Sequence, residues 1–253
     1  MSPRPVYFDC DTGIDDALAL AYLMASPEIQ LVGIGTVSGN INARQAAVNT
    51  LDLLAMGCMH DVAVAVGAMD PLARPFSGGV PHIHGYNGVG DIELPHTDKQ
   101  PEAESAHEML VRLANEYPGE LEVIAIGPLT NLALALELDP TVTDKVREVT
   151  IMGGAALAPG NLSPSAEANI WNDPEAASAT MDAPWQVVLV PLDVTLENVF
   201  EESDLQALAA SPSALNQALA QTLDLYYGFY VGEYGRRCWR CTIRSLPPSR
   251  WDR

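Results

Sequence analysis

The chain is poor in basic residues. Only 13 lysines and arginines stand against 33 aspartates and glutamates among its 253 residues, which gives a formal net charge of −20. A surface this negative repels phosphate backbones, and this argues against a nucleic-acid partner. The same charge is compatible with an uncharged small-molecule substrate and with a site that holds a divalent cation.

Long apolar runs are also missing, and cysteines are few. No stretch reaches the roughly 18 apolar residues of a membrane span, and the first residues show no signal-peptide pattern. We therefore expect no membrane partner and a cytoplasmic protein. The four cysteines, Cys10, Cys58, Cys238 and Cys241, are too scattered for a secreted disulfide framework.

The hydrophobic fraction of 48% predicts a folded chain, and the apolar pattern alternates between two periods. Strand-like runs at 6–8, 30–37, 62–66, 121–126, 146–152 and 185–190 alternate with helical patterns at 15–25, 43–56, 104–117, 131–138 and 174–181. This alternation predicts a single α/β domain with a mostly parallel central sheet flanked by helices. Such sheets bind ligands at the carboxyl ends of their strands.

The sharpest local signal follows the first predicted strand, where segment 9–16 reads Asp-Cys-Asp-Thr-Gly-Ile-Asp-Asp. Four carboxylates this close raise one another's pKa unless positive charge compensates them. A helix N-terminus accounts for one or two of them through capping, whereas a hard cation with oxygen ligands accounts for more. Gly13 favours the cation, because a tight turn brings backbone close to a bound group.

Further motifs follow in a fixed order, and together they resemble the inosine-uridine preferring nucleoside hydrolases. The resemblance extends from Val6 to about Gly235. The matching motifs are Asp9-x-Asp11-x-Gly13-x-Asp15-Asp16, Ser38-Gly39-Asn40, His84-Gly85-x-x-Gly88, 126–131 (Ile-Gly-Pro-Leu-Thr-Asn), Met152-Gly153-Gly154, Asn161, Ala166-Glu167-x-Asn169 and Asp173-Pro174-Glu175-Ala176.

The resemblance implies a Rossmann-like nucleoside-hydrolase fold and a Ca²⁺-dependent enzyme that cleaves the base from a ribonucleoside. It implies that Asp11, Asp16 and the backbone carbonyl of Ile126 bind Ca²⁺, and that Asp11 accepts the proton of the attacking water. The ribose hydroxyls and the rest of the substrate would be held by Asp15, Asn40, Met152, Asn161, Glu167 and Asn169.

Each of these polar residues also has a structural interpretation. Asn40 and Asn161 could satisfy turn backbone, and Glu167 and Asn169 could form an exposed edge beside a loop. We interpret Asn131 as structural.

Histidine and tyrosine pairs are the candidate contacts of the base. His82 and His84 would point to the same side if the segment were extended; an exposed loop pair is the alternative. Tyr226 and Tyr230 share one face of a predicted helix, where they could stack on a base or pack in the core.

The resemblance assigns residues 1–235 to the hydrolase domain and leaves 236–253 as an anomalous tail. Family members continue with a His-Asp-Pro motif, whose Asp is a further Ca²⁺ ligand and whose His lies near the leaving base. Residues 236–253 lack this motif and show no helical or strand periodicity. One hypothesis is a shifted reading frame, since the codons from Cys238 onward are compatible with Leu-Ala-Leu-His-Asp-Pro in the neighbouring frame. The chain would then be truncated at its C-terminus.

Two other functions remain open from the sequence. A haloacid-dehalogenase-type phosphatase also opens with Asp-x-Asp after a strand, although Gly13 to Asp16 and the later Asn-Glu-Asn set fit it poorly. A truncated, inactive relative with residual ribose binding would explain the missing His-Asp-Pro. We also expect the chain to form a homodimer or homotetramer.

Overall fold

A computed structural model describes residues 2–234 and 238–240. Its centre is a sheet of six parallel strands in the order β3-β2-β1-β4-β5-β6. The strands are β1 (Arg4–Cys10), β2 (Ile29–Thr36), β3 (Val64–Val66), β4 (Glu122–Ala125), β5 (Glu148–Met152) and β6 (Val187–Val190). The predicted α/β class and parallel sheet are confirmed.

Helices follow the strands and cover both faces of the sheet. They are α1 (Ile14–Ala25), α2 (Ala43–Met56), α3 (Pro81–His84), α4 (Ala106–Glu116), α5 (Thr130–Leu138), α6 (Val142–Lys145), α7 (Ala168–Asn172), α8 (Pro174–Asp182), α9 (Leu192–Thr195), α10 (Glu202–Ala209) and α11 (Ala214–Tyr234). No helix of the described residues is long and apolar enough to cross a bilayer.

Strand β1 divides the core because successive side chains of a strand point to opposite faces. Val6, Phe8 and Cys10 join one buried cluster with α1, α2 and α11. Tyr7 joins a second cluster with α4 and α5 on the other face. Every residue of β1 from Pro5 onward is buried, as expected for a central parallel strand.

Side-chain caps fix where several helices begin. Asn42 Oδ1 accepts the backbone N–H of Gln45 at 3.0 Å at the start of α2. Asp173 Oδ1 accepts that of Ala176 at 3.1 Å at the start of α8, where Pro174 occupies the first turn. These caps satisfy backbone donors that have no partner within the helix, and so set the entry points of the chain.

A short antiparallel pair lies apart from the main sheet. Strand β7 (Val199–Glu201) pairs with β8 (Cys238–Arg240). Residues 238–240 belong to the segment whose sequence shows no helical or strand periodicity, because a three-residue strand is too short to show a period. The rest of the predicted anomalous tail, 236–237 and 241–253, lies outside the described residues.

Candidate active site

A cavity of about 220 Å³ opens at the carboxyl edge of the sheet. Its wall is built by residues at or just beyond the ends of five parallel strands: Asp15, Asn40, Ile126, Met152 and Leu192. All nine side chains predicted to contact substrate line it, namely Asp15, Asn40, His84, Met152, Asn161, Glu167, Asn169, Tyr226 and Tyr230. The topology thus brings together residues that are up to 215 positions apart in the sequence.

Asp11 and Asp16 are buried behind this wall and contact it through Asn40. Asp11 Oδ2 accepts the backbone N–H of Asn40 at 2.5 Å, and Asp16 Oδ2 accepts Asn40 Nδ2 at 3.0 Å and the backbone N–H of Gly13 at 2.9 Å. Both aspartates are 2% exposed. Asp16 therefore caps the N-terminus of α1, which agrees with the capping alternative. Asp11 takes no part in this cap, so capping does not explain why a carboxylate is buried at position 11.

These carboxyl groups lie in an unfavourable electrostatic environment. Burial, with a contribution from the charge of Asp15, raises the pKa of Asp16 to about 7. Burial and the charge of Asp16 raise the pKa of Asp11 well above its usual range. Among the described residues, no arginine or lysine forms an ion pair with either one. In the part of the chain that the structure describes, the ionised forms of these two carboxyl groups thus have no protein cation to balance them.

One oxygen of this pair has no partner. Asp11 Oδ1 is buried and receives no hydrogen bond from any described residue. It faces Gly127, where a Cβ would lie 3.1 Å away, and a Cβ at Gly39 would overlap the second Asp11 oxygen. The two glycines therefore let backbone close around a carboxylate that still has an open lone pair.

The residues present fit a hard cation, although they do not form a complete cage. No three His, Cys, Asp or Glu side chains in the described parts of the chain converge as a metal site. The oxygens of Asp11, Asp16 and the Ile126 carbonyl remain as donors. Ile126 O already accepts Asn169 Nδ2 at 2.7 Å, but a carbonyl has a second lone pair to offer.

Glu167 and Asn169 lie inside the site, so the interpretation of them as an exposed edge was wrong. Glu167 is 2% and Asn169 is 9% exposed. Glu167 Oε2 accepts the backbone N–H groups of Gly154 at 3.0 Å and Ile170 at 3.1 Å, and burial raises the pKa of this carboxyl. Burial follows because α7 turns both side chains toward the ends of β4 and β5.

Asn161 and Asn131 show two uses of an amide. Asn161 lines the cavity, and its Oδ1 accepts the backbone N–H of Ala168 at 2.9 Å. Because the oxygen is used in this way, the Nδ2 donors of the amide point away from Ala168. Asn131 does not line the cavity; it donates to Asp9 and to the Thr36 carbonyl, both at 3.0 Å. Its structural interpretation agrees with these contacts.

His84 lies at the aromatic end of the cavity and is 4% exposed. Its Nδ1 accepts the backbone N–H of Ile14 at 3.0 Å, and burial lowers its pKa. The neutral ring therefore carries its proton on Nε2. A Cβ on Gly13 would lie 2.6 Å from this Nδ1, which explains the glycine.

His82 and His84 would share one side only in an extended segment, and the segment is helical in α3, where residues two positions apart point to nearly opposite sides. His82 is exposed, and its ring meets that of Phe229 edge-on at 5.9 Å. His84 instead lies 5.4 Å from Tyr226, whose ring meets Tyr230 at 4.9 Å. Both tyrosines line the cavity and also belong to the packed core or its edge, so the two interpretations of them hold together.

Sequence reasoning missed several residues of the wall, among them Ser77, Leu162, Trp171, Leu192 and Thr195. The last two follow β6, so their place at a strand's carboxyl end was a usable signal. Trp171 lies on a five-residue helix too short to show a period.

The family model for "inosine-uridine preferring nucleoside hydrolase" matches residues 6–243. The chain belongs to this family. Uridine nucleosidase 1 of Arabidopsis thaliana is 36% identical over 234 residues, which cover 90% of this chain and 68% of that protein. The pyrimidine-specific ribonucleoside hydrolase RihA of Citrobacter koseri is 34% identical over 229 residues, covering 90% and 73%.

Solved structures of nucleoside hydrolases share the fold. The plant enzyme PpNRh1 superposes with a TM-score of 0.93 at 33% identity, over 98% of this chain and 80% of that one. A purine-preferring ribonucleoside hydrolase from Gardnerella vaginalis gives 0.92 at 29% identity, over 97% and 79%. The protein is accordingly a hydrolytic glycosidase of the nucleoside hydrolase class, and the phosphatase alternative is set aside.

Proposed function

We propose that this nucleoside hydrolase cleaves the N-glycosidic bond of ribonucleosides, releasing ribose and the free base, with Ca²⁺ held by Asp11, Asp16 and the Ile126 carbonyl. The observation that carries the proposal is the buried Asp11 Oδ1, which accepts no hydrogen bond from any residue that the structure describes. It belongs to a carboxylate pair that forms no ion pair with a lysine or arginine of the described residues, and the pair lies behind the cavity of about 220 Å³. When bound, Ca²⁺ would offset these charges and make a water more acidic.

Asp11 is the proton acceptor in this proposal. Its Oδ1 is the oxygen without a hydrogen-bond donor, so it is the atom free to take a proton from the attacking water. Burial and Asp16 raise the pKa of the Asp11 carboxyl, and a general base works best when its pKa is near the working pH.

The polar wall residues hold the ribose. Asn161 has its amide donors available because its oxygen is used by Ala168, and Asp15, Asn40 and Asn169 complete the set around the sugar. Carboxylates and amides suit vicinal hydroxyls. Their negative charge also stabilises the positive charge that develops on the sugar as the glycosidic bond breaks.

The aromatic end receives the base. His84 presents a neutral Nε2–H, since its Nδ1 accepts from Ile14. This donor can hydrogen-bond to the departing base while Tyr226 and Tyr230 provide aromatic surface.

The proposal also includes a cytoplasmic location and a homodimer or homotetramer. Sedimentation of the purified chain measures the oligomeric state.

Base release from uridine, cytidine, inosine and adenosine tests the proposal. With CaCl₂ present we expect turnover of at least one nucleoside, and we expect chelation with EGTA to abolish it. A wild-type chain that releases no base from any of the four nucleosides would contradict the enzyme function. That result would favour the inactive relative.

A further inference from the structure

An asparagine in the middle of α2 connects two loops beside the active site. Asn49 is 3% exposed, and its Nδ2 donates to the Thr12 carbonyl at 3.2 Å and to the Asn87 carbonyl at 2.8 Å. Its Oδ1 accepts Gln45 Nε2 at 2.9 Å. Asparagine is a weak helix former. The contacts to the two carbonyls, rather than helix propensity, therefore account for a buried amide at this position.

The two connected segments are the acidic turn before α1 and the loop after α3. Thr12 lies within the acidic turn, and Asn87 lies within the loop. Asn87 Oδ1 accepts the backbone N–H of Asp91 at 3.0 Å, and the backbone N–H of Gly90 donates to the His84 carbonyl at 2.8 Å. The loop is thus closed by its own hydrogen bonds, and it begins at His84.

The same two segments also meet at the His84 ring. The backbone N–H of Ile14 donates to His84 Nδ1 at 3.0 Å. Gly88, which has a φ of +83°, lies close to the turn, since a Cβ there would be 3.3 Å from the Thr12 carbonyl oxygen and 3.0 Å from Asn49 Nδ2. One hydrogen bond alone would let the ring pivot about Ile14. The second connection, through Asn49, fixes the loop against the turn and with it the direction of the ring.

From this juxtaposition we propose that Asn49 is a positioning residue, which holds the His84 ring where its Nε2–H reaches the departing base. This inference rests on the proposed function and deepens it. Asn49 is not among the residues that line the cavity, so it acts through the segments that it connects. An amide suits this task, because one nitrogen with two hydrogens can donate to two carbonyls.

The kinetic test compares Asn49→Leu with the wild type on uridine and on p-nitrophenyl β-D-ribofuranoside. Leucine is close to asparagine in size and donates no hydrogen bond. The base of uridine is a poorer leaving group than nitrophenolate, so it gains more from a hydrogen bond as it departs. We expect kcat for uridine to fall by about 10- to 100-fold and kcat for the nitrophenyl riboside to stay within about threefold, since small displacements of a catalytic group have effects of this size.

Asp52→Leu is the matched control on the same helix. Asp52 is 5% exposed and accepts the backbone N–H of Thr97 at 2.8 Å, and neither residue lines the cavity. Both leucine variants lose a buried contact between α2 and a loop, so both should unfold at a lower temperature than the wild type. Only Asn49→Leu should lose uridine turnover. An equal loss on both ribosides in Asn49→Leu, or the same loss for uridine in Asp52→Leu, would show a merely structural role and overturn the proposal.

A double substitution tests whether the effect passes through His84. In a His84→Ala enzyme, adding Asn49→Leu should cause no further loss of kcat for uridine, because residues that act through one another are not additive. Full additivity of the two losses would overturn the proposal.

Failure of the proposed function would look different. If the wild-type chain releases no base, the proposed function fails, and hydrogen exchange at the Ile14 amide still tests the position of His84, since that N–H is donated to His84 Nδ1. We expect exchange at Ile14 to be about 3- to 10-fold faster in Asn49→Leu than in Asp52→Leu, the usual effect of weakening one neutral hydrogen bond. Equal rates at Ile14 in the two variants overturn the positioning role.

Discussion

Carboxylates at the back of the cavity and carboxylates on the outer surface of this protein meet opposite environments. Asp11 and Asp16 are buried with no lysine or arginine partner among residues 2–231, and their pKa values are raised mainly by that burial. Asp139, between α5 and α6, accepts hydrogen bonds from Lys145 Nζ at 2.8 Å and Thr141 Oγ1 at 2.6 Å, and its pKa is lowered to about 2. Asp139 is paired with a lysine of the protein, whereas Asp11 and Asp16 have no such partner among the described residues.

The difference separates acids that stabilise the fold from acids that serve the site. A carboxylate whose pKa is lowered by folding stabilises the folded state when it is ionised. A carboxylate whose pKa is raised by folding destabilises the folded state when it is ionised. The protein therefore tolerates an electrostatic cost at Asp11 and Asp16. Sites of function are where such costs are expected.

Substitution of Asp11 by Asn should give the largest effect. It removes the proposed proton acceptor while an amide oxygen can still accept from Asn40, so kcat should fall by about 10²- to 10⁴-fold. Base release at saturating nucleoside measures this. Without divalent cation, the thermal midpoint should stay equal or rise, because a buried charge next to Asp16 is gone.

Asp139→Asn is the matched control for this first substitution, since it removes one negative charge from the surface and should leave kcat unchanged. An Asp11→Asn enzyme with kcat within tenfold of the wild type would contradict the catalytic role that distinguishes Asp11 from the surface acid Asp139.

An intermediate effect is expected at Asp193, a carboxylate whose pKa is lowered by hydrogen bonds from the Ala156, Leu157 and Ala158 backbone at 2.8, 2.7 and 2.9 Å. Asp193→Asn replaces one acceptor oxygen by a donor, so the turn before Asn161 should loosen. We expect faster amide exchange at 156–158 and a KM raised several-fold with kcat nearly unchanged. Hydrogen exchange and steady-state kinetics measure the two.

Glu197→Gln, an exposed acid four residues further along, is the control for charge alone. If the amide hydrogens of 156–158 exchange at the same rate in the wild type and in Asp193→Asn, contacts other than the Asp193 carboxylate stabilise this turn.

The smallest effect is expected at Asp139, through pH. Its folded pKa of about 2 lies below the unfolded value of about 3.9. Its contribution to stability is therefore full above the unfolded pKa and is lost as pH falls through the folded one. The urea midpoints of wild type and Asp139→Asn should differ slightly at pH 7 and converge toward pH 2. Asp144→Asn, exposed on α6, is the control for removing one surface carboxylate.

Much of this architecture could be predicted because long elements carry their own period. The helix predicted at 43–56 has those bounds in the structure, and the alternation of strands and helices predicted the parallel sheet. The place of the site also followed, since parallel strands end at one edge. The motif after β1 marks Asp11, Asp15 and Asp16 as candidate site residues from the sequence alone.

Other features depend on tertiary placement, which local sequence does not carry. The helical α3 separates His82 from His84, and four residues are too few to show a period. Burial of Glu167 depends on how α7 packs against the ends of β4 and β5. Thr195, whose hydroxyl has no hydrogen-bond partner among the described residues, becomes buried only once α9 lies beside the cavity.

Calcium titration of thermal stability tests the central claim most directly. A cation that binds only the folded state stabilises it by about 2.7 kcal/mol at 100 times its Kd. The account predicts that CaCl₂ raises the thermal midpoint of the wild type, and that Asp11→Asn and Asp16→Asn lose this rise while Asp139→Asn keeps it. A wild-type midpoint that does not respond to calcium, or an equal rise in all four proteins, would contradict it.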